Sequence, residues 1–204
     1  MTATEAEINQ AHREKMAKIK AAKDRLYASK TIQKGLLMVH TGTGKGKSTA
    51  AWGLAMRCLG HGLKLGVVQF VKGRRDTGER FFLSRFPDQV EVRVMGEGFT
   101  WETQDRERDI AAARAAWDEA RRMLAAPDLH LVILDELNIV LRKDYLPIAE
   151  VVEGLLAKRE GLHVVVTGRN AKPELLEAAD LVTEMTLVKH PFRAGVKAQL
   201  GIEY

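Results

Sequence analysis

Gly42-Thr43-Gly44-Lys45-Gly46-Lys47-Ser48-Thr49 is the stretch of sequence that decides the fold. A short apolar run at 35–40 comes before it, and residues 47–60 have the apolar spacing of a helix. A glycine-rich loop between a strand and a helix, ending in Gly-Lys-Ser, is typical of a Walker A phosphate loop. Its backbone N–H groups and the positive end of the helix dipole can face an anion. The stretch therefore predicts a site for a nucleoside triphosphate.

Two side chains of this loop have predicted roles: Lys47 neutralises phosphate oxygens, and the Ser48 hydroxyl ligates Mg²⁺, an ion that takes oxygen ligands. The loop departs from the usual pattern, because the residue five positions before Gly46 is Thr41 and not glycine. The loop is one residue shorter than usual, and a shorter phosphate-binding loop need not hold the phosphates in the usual order. The alternative interpretation is a plain connection between a strand and a helix.

Short apolar runs recur along the chain and alternate with helical stretches. Runs rich in β-branched residues that are apolar on both faces are typical of a parallel sheet covered on both sides. The pattern predicts an α/β fold, a single-domain P-loop NTPase-like (RecA-like) doubly wound, mostly parallel sheet in residues 31–204. The further predicted strands are 65–71, 90–95, 131–134, 164–166 and a weaker one at 181–187, and the longest predicted helix is 102–126.

Residues 1–30 are predicted to form an N-terminal helical arm. The segment 3–30 is rich in Ala, Lys, Arg and Glu, which are good helix formers, and Met16, Ile19 and Leu26 lie along one narrow stripe. Such a stripe is too thin to hold a helix firmly to a core. Three interpretations remain open: a mobile arm, an element that docks on a ligand or a neighbouring subunit, and a solvated charged helix.

Composition excludes several classes of protein. The chain has 204 residues, 46% of them hydrophobic and 29% charged, which fits one folded domain. The single cysteine, Cys58, excludes internal disulfides and thiolate metal cages, and the six histidines lack metal-ligand spacing. No apolar run is long enough for a membrane span or a signal peptide, so we expect a cytoplasmic protein without a membrane partner. The net charge of +5 favours an anionic partner but is modest for a nucleic-acid binder, so no nucleic acid is expected.

A second motif predicts the metal partner of the phosphate loop. The apolar run 131–134 ends in Asp135 and Glu136, which is typical of a Walker B strand that delivers carboxylates to the sheet edge beside the loop. The two side chains point to opposite faces, so one faces the metal and the other hydrogen-bonds the loop or neighbouring groups. A solvated acidic pair is the alternative. Arg169 follows the run 164–166 at the same edge, where it contacts either a ligand or a structural salt-bridge partner.

The reaction is not decided by these two motifs, because P-loop sites serve several chemistries. Residues 96–103 place two aromatics, Phe99 and Trp101, in a glycine-flanked loop. Such rings need a flat apolar ligand or a core, and for the pair alone a core position is favoured.

Seven segments carry the pattern that decides between these chemistries: residues 44–49 (GKGKST), 67–73 (VVQFVKG), 98–103 (GFTWET), 134–137 (LDEL), 166–169 (VTGR), 188–190 (VKH) and 195–199 (GVKAQ). Taken together, these segments closely resemble the P-loop corrinoid adenosyltransferases, and the resemblance runs from about residue 34 to 204. The resemblance implies transfer of the 5′-deoxyadenosyl group of ATP to the cobalt(I) of cobalamin or cobyrinic acid a,c-diamide, in adenosylcobalamin biosynthesis or salvage. It also implies that triphosphate leaves and that ATP lies in reversed sense along the shortened loop.

The same resemblance implies roles for individual residues. Ser48 and Glu136 are the implied metal ligands, and Lys47 is implied to be catalytic. Phe99 and Trp101 are also implied to be catalytic, by covering the lower face of the corrin, excluding an axial ligand and easing reduction to cobalt(I). The implied nucleotide-binding residues are Gly42, Thr43, Gly44, Lys45, Gly46, Lys47, Ser48, Thr49, Arg57 and Arg169.

The implied cofactors and substrates are Mg²⁺, ATP and a corrinoid. The implied partners are a reduced flavin or flavodoxin-type electron donor and a second copy of the chain. The N-terminal helix is implied to fold over the corrinoid, and whether it covers the corrinoid of its own subunit or that of the partner stays open. Two other functions stay open at this point. One is a P-loop phosphotransferase or RecA-like ATPase, in which the aromatic loop has no evident task, and the other is a non-catalytic module that binds ATP and corrinoid.

Overall fold

The computed structural model describes residues 4–71, 77–96 and 105–203, which fall into two compact units, Met1–Gln33 and Lys34–Tyr204. The first unit is helix α1 (Glu5–Ala28), which confirms the predicted N-terminal helix. It begins with a capping box, in which Thr4 Oγ1 accepts a hydrogen bond from the Glu7 backbone N–H at 3.3 Å and Glu7 Oε2 accepts one from the Thr4 N–H at 2.8 Å. Its apolar side chains, including Met16, Ile19 and Leu26, are exposed.

The second unit contains a six-stranded sheet and its covering helices. In chain order the elements are β1 (Leu37–Thr41), α2 (Lys47–Gly60), β2 (Lys64–Gln69), α3 (Gly78–Leu83), β3 (Val90–Val94), α4 (Arg106–Ala125), β4 (Leu129–Asp135), α5 (Leu137–Arg142), α6 (Ile148–Leu156), β5 (His163–Thr167), α7 (Pro173–Ala178), β6 (Leu181–Glu184) and a 3₁₀ turn (Pro191–Ala194). Among the helices of the described residues, none combines the length and the apolar character that crossing a bilayer requires.

The sheet has the strand order β3-β2-β4-β5-β1-β6, and the paired strands run parallel. This confirms the predicted α/β fold with a doubly wound parallel sheet. Strand β5 lies between β1 and β4, so the carboxyl ends of the phosphate-loop strand and the Walker B strand flank the end of β5. Ligands of open parallel sheets bind at this edge.

Two hydrophobic cores cover the two faces of the sheet, because successive side chains of a strand point to opposite sides. In β4, Leu131 and Ile133 pack in one core with the buried face of α2. Val132 and Leu134 pack in the other core with residues of α4, α5 and α6. Both faces of the central strands are therefore buried, as the apolar runs predicted, and polar groups lie at the strand ends.

Candidate active site

A cavity of about 720 Å³ opens at the carboxyl ends of β1, β4 and β5. It is lined by Gly44, Lys45, Gly46, Lys47, Ser48, Thr49, Val71, Glu136, Ile139, Arg142, Lys143, Gly168, Arg169, Ile202 and Glu203. Five of these side chains are cationic and two are acidic. An excess of positive charge in a concave site attracts a polyanion such as a triphosphate.

The phosphate loop is held in place by the chain that follows β6. The Gly44 backbone N–H donates to the Met185 carbonyl at 2.6 Å. A Cβ at Gly42 would lie 2.5 Å from that same carbonyl oxygen, and a Cβ at Gly44 would lie 2.6 Å from the Thr186 oxygen. Gly42 also has a φ of 93°. Glycine is therefore required at both positions by this close backbone approach as well as by the turn itself.

Lys47 folds back over the loop. Its Nζ donates a hydrogen bond to the Gly42 carbonyl at 2.9 Å and another to the Gly44 carbonyl. Burial lowers the pKa of Lys47, the nearby Arg169 lowers it further, and Glu136 opposes the shift. The ammonium is thus desolvated and close to a second cation, and both conditions favour its pairing with an anionic ligand.

Asp135, at the end of β4, connects the loop to two neighbouring strands. Its Oδ1 accepts hydrogen bonds from Ser48 Oγ and Thr167 Oγ1, each at 2.7 Å. Its Oδ2 accepts one from Gln69 Nε2 at 3.2 Å. The residue is only 1% exposed, so these donors compensate for the burial of its charge. This confirms the expectation that one of the two carboxylates hydrogen-bonds the loop.

Glu136 lines the cavity and precedes α5. Its backbone adopts the left-handed conformation, with a φ of 66°, and its N–H donates to Thr167 Oγ1 at 2.9 Å. A glutamate in this region of φ/ψ space is uncommon, and such residues cluster at functional sites. The turn places the carboxylates of Asp135 and Glu136 in different surroundings, one inside the hydrogen-bonded cluster and one facing the cavity.

The side chains around this turn fit a magnesium ion. Ser48, Asp135 and Glu136 offer only hydroxyl and carboxylate oxygens, the donors that Mg²⁺ prefers. Among the described residues, no cluster of three or more His, Cys, Asp or Glu side chains is arranged to hold a metal ion by itself. Mg²⁺ in proteins usually takes only one or two carboxylate ligands and completes its coordination with water or a bound anion.

The other residues expected from the sequence lie in different places. Lys45, Thr49 and Arg169 line the cavity. Gly42 and Thr43 belong to the loop but do not line the cavity formed by the described residues, and Arg57 is exposed on α2 away from that lining. Phe99 and Trp101 lie outside the described residues.

Several residues of the site were not predicted. Gln69 and Thr167 end β2 and β5, and they could have been found as polar residues that close apolar runs at the same sheet edge as Asp135. Arg142 ends α5 and Lys143 follows it, and both line the cavity. Ile202 and Glu203 reach the cavity from the C-terminal segment. No local pattern points to these last four, because they are brought in by the path of distant segments.

Fold and site together define a P-loop nucleotide-binding protein: a parallel sheet whose first strand leads through a glycine-rich loop into a helix, beside a buried acidic strand end. The sequence profile of one family, described as "ATP:corrinoid adenosyltransferase BtuR/CobO/CobP", matches residues 33–204. The corrinoid adenosyltransferase of Pseudomonas aeruginosa is 56% identical over 97% of this chain and 98% of its own. That of Escherichia coli K12 is 48% identical over 95% of this chain and 97% of its own.

The chain therefore belongs to the ATP:corrinoid adenosyltransferase family, which confirms the class of enzyme that the sequence resemblance implied. Among solved structures, domain III of the Thermotoga maritima replication initiation protein DnaA aligns with 73% of this chain and 53% of its own. Its TM-score is 0.37 at 11% identity, a likeness too weak to bear on fold or function.

Proposed function

We propose that this site transfers the 5′-deoxyadenosyl group of ATP to the cobalt(I) centre of a corrinoid substrate and releases inorganic triphosphate. The cobalt electron pair forms the bond to C5′, the C5′–O bond breaks, and its electron pair leaves on the triphosphate oxygen. The observation that carries the proposal is the cationic cavity built on the shortened phosphate loop, since the triphosphate is the group that gains charge. Its five cationic side chains match a leaving polyanion.

The loop residues supply most of the chemistry in this proposal. Because the nucleophile is cobalt(I) and the acceptor atom is an sp³ carbon, the protein needs little acid or base catalysis and must align attack and stabilise departing charge. Lys47 is already desolvated and held over the loop, so it meets the phosphates with little reorganisation. Lys45, Thr49 and Arg169 line the same cavity and extend the contact along the triphosphate.

Magnesium is part of the proposal. Ser48 and Glu136 would hold the ion, while Asp135 orients the Ser48 hydroxyl through their 2.7 Å hydrogen bond. When bound, Mg²⁺ neutralises phosphate charge. Arg57 is assigned to the nucleotide only through the sequence resemblance, whereas Gly42 and Thr43 are assigned to it as part of the glycine-rich loop.

The corrinoid side of the reaction is assigned from the sequence alone. Phe99 and Trp101 cover the lower corrin face, and a reduced flavin or flavodoxin-type protein supplies the electron that reduces cobalt(II) to cobalt(I). The chain forms a homodimer, in which an N-terminal helix, from the same or the partner chain, covers the substrate. The substrate is cobalamin or cobyrinic acid a,c-diamide, and the reaction takes place in the cytoplasm.

The proposal is tested by anaerobic incubation of the full chain with MgATP and chemically reduced corrinoid. A light-sensitive cobalt–carbon product together with intact triphosphate is the expected result. ADP and phosphate with unchanged corrinoid would instead favour a phosphotransferase or ATPase, and tight binding of both ligands without turnover would favour a binding module. Lys47→Met should lower the rate by about 100-fold or more. The matched control is Lys64→Met, which removes an exposed lysine paired with Asp128 outside the cavity lining and should leave the rate unchanged.

A further inference from the structure

Residues 168–171 form a tight turn that carries Arg169 into the cavity directly after β5. Gly168 has a φ of 129° and Asn170 a φ of 54°, so positive-φ residues stand on both sides of the arginine. Arg169 itself lines the cavity with Lys47 and Glu136, and its charge contributes to the lowered pKa of Lys47. The backbone of this turn therefore determines where the guanidinium group can reach.

Side chains from the end of β1 and from the first turn of α5 hold the two ends of the turn by hydrogen bonds. At its start, Asn138 Nδ2 donates to the Gly168 carbonyl at 3.0 Å, and Asn138 is fully buried. At its end, Thr41 Oγ1 accepts a hydrogen bond from the Ala171 N–H at 3.0 Å, and Thr41 is 7% exposed. Neither Asn138 nor Thr41 is among the residues that line the cavity formed by the described residues.

The start of the turn also packs closely against Asn138. A Cβ at Gly168 would lie 2.8 Å from the Asn138 Cβ and 3.3 Å from the Asn138 backbone nitrogen. A substituent at position 168, or a shift of the turn toward α5, is therefore excluded by contact. Asn138 is the second residue of α5 and stands two positions after Glu136, so the same short segment that carries the cavity-facing carboxylate also fixes the arginine turn.

We propose that Asn138 and Thr41 are positioning residues, which hold the 168–171 turn so that Arg169 meets the triphosphate of ATP. This inference rests on the proposed function, because it takes the triphosphate as the partner of Arg169. A guanidinium group that is already in place gives charge-assisted hydrogen bonds to phosphate without the cost of ordering the turn on binding. Loss of either fastening leaves the arginine present and its position variable.

A double-mutant cycle in MgATP affinity tests the inference. The dissociation constant is measured by calorimetry on the full chain for the wild type, Asn138→Leu, Arg169→Ala and the double variant. Each single change should weaken MgATP binding by about tenfold, because it removes or weakens the charge-assisted hydrogen bonds from Arg169 to phosphate. The double variant should bind no more weakly than Arg169→Ala alone, since Asn138 acts through the arginine.

Further variants keep the test independent of folding. Thr41→Val keeps the side-chain volume and removes the acceptor at the other end of the turn. It should weaken MgATP binding in the wild-type background but not further in the Arg169→Ala background. Both fastening variants should raise the KM for MgATP with little change in kcat or in the KM for corrinoid. Tyr145→Phe, which removes the hydrogen bond to Asp109 outside the cavity lining, is the control and should leave MgATP affinity unchanged.

Losses that add in the double variants, or equal losses in affinity for MgATP and corrinoid, would overturn the inference and assign Asn138 and Thr41 a purely structural role. If Arg169→Ala alone binds MgATP normally, Arg169 does not contact the triphosphate and the inference is wrong. Adenosyl transfer by the wild type is measured separately, so normal binding by Arg169→Ala can be told apart from a failure of the proposed function.

Discussion

Asp135 concentrates the polar contacts of the site in one buried carboxylate. Ser48 comes from the phosphate loop, Thr167 from the end of β5 and Gln69 from the end of β2, and all three donate to it. Burying a charge is favourable only when it is hydrogen-bonded, so these contacts also fix the relative positions of three segments. The hydroxyl of Ser48 is thereby oriented before any ligand binds.

His163 makes stability depend on pH at the opposite end of β5. Its Nδ1 accepts a hydrogen bond from the Leu36 N–H at 3.2 Å, and its ring lies 4.9 Å from that of His130. Burial lowers its pKa from the ordinary 6.5, and His130 and Lys158 lower it further. The folded state therefore binds this proton less readily than the unfolded chain, so the free energy of unfolding should fall as the pH drops through 6.5 toward the folded pKa.

Urea unfolding at a series of pH values between 7 and 5 measures this effect. His163→Gln should reduce the loss of stability over that interval, because the titrating group is gone. His61→Gln, at an exposed position after α2, serves as the control and should keep the wild-type slope. An unchanged slope in His163→Gln would show that other groups cause the acid sensitivity.

Helix α2 offers a comparison at the scale of an element. Gly53 lies in the interior of this helix, is exposed, and a Cβ there would meet no atom within 4 Å. Because glycine is a poor helix former, Gly53→Ala should stabilise the protein by about 0.5–1 kcal/mol. The measurement is the midpoint and slope of chemical unfolding, and an unchanged or lower stability would contradict the expectation.

Gly154 in α6 is the matched control, because Gly154→Ala is expected to destabilise the protein. A Cβ at Gly154 would lie 2.6 Å from Cζ2 of Trp117, a buried residue of α4. Overpacking of this kind destabilises by about 1–3 kcal/mol. Equal effects of the two substitutions would mean that helix propensity alone, and not packing, decides them.

The elements next to the phosphate loop could be predicted from the sequence, because their signals are local. Strand β1, the loop and helix α2 follow one another within 25 residues, and the apolar runs of β4 and β5 are as clear. Strand β6 was predicted to reach residue 187, but it ends at Glu184. The chain then turns over the loop, where the Met185 carbonyl accepts the Gly44 N–H. That contact joins residues far apart in sequence and has no local signal.

The hydrogen-bond partners of Thr167 and Asn138 were not predictable for the same reason. They depend on the register that sets Leu134 beside Val166, so that the carboxyl ends of both strands and the residues that follow them meet. A threonine that closes an apolar run indicates a place at the sheet edge but not its partners, and an asparagine near the start of a helix has no distinctive pattern by itself. The sequence could therefore bring Lys47, Ser48 and Glu136 together as candidates, and all three line the cavity, while their supporting contacts required the three-dimensional structure.

At the scale of the whole unit Lys34–Tyr204, strand order explains why the site lies where it does. Strands β1, β5 and β4 are adjacent, so their carboxyl ends bring together a cationic loop, a threonine and a pair of carboxylates. The apolar interior of each strand lies in the two cores. Polar groups consequently lie at the strand ends, and those at the carboxyl ends can hold a charged ligand without disturbing the cores.

The C-terminal segment returns to this edge of the sheet, where an ion pair that it forms with the phosphate loop is expected to compete with the ligand. Lys45 and Glu203 form an ion pair at the cavity, with side chains 50% and 20% exposed. A triphosphate that draws Lys45 away must first break this pair. Exposed pairs contribute up to about 1 kcal/mol, so Glu203→Gln should tighten MgATP binding by up to about fivefold at low salt.

Calorimetric titration at two salt concentrations checks this. The difference between Glu203→Gln and wild type should shrink at high salt, because screening weakens an exposed ion pair. Glu177→Gln removes an exposed carboxylate of α7 outside the cavity lining, and it controls for the change in net charge. Weaker binding by Glu203→Gln would mean that the carboxylate holds Lys45 in the position that the triphosphate needs. An equal gain in MgATP affinity for Glu177→Gln would show that the change in net charge, and not the loss of the ion pair, causes the effect.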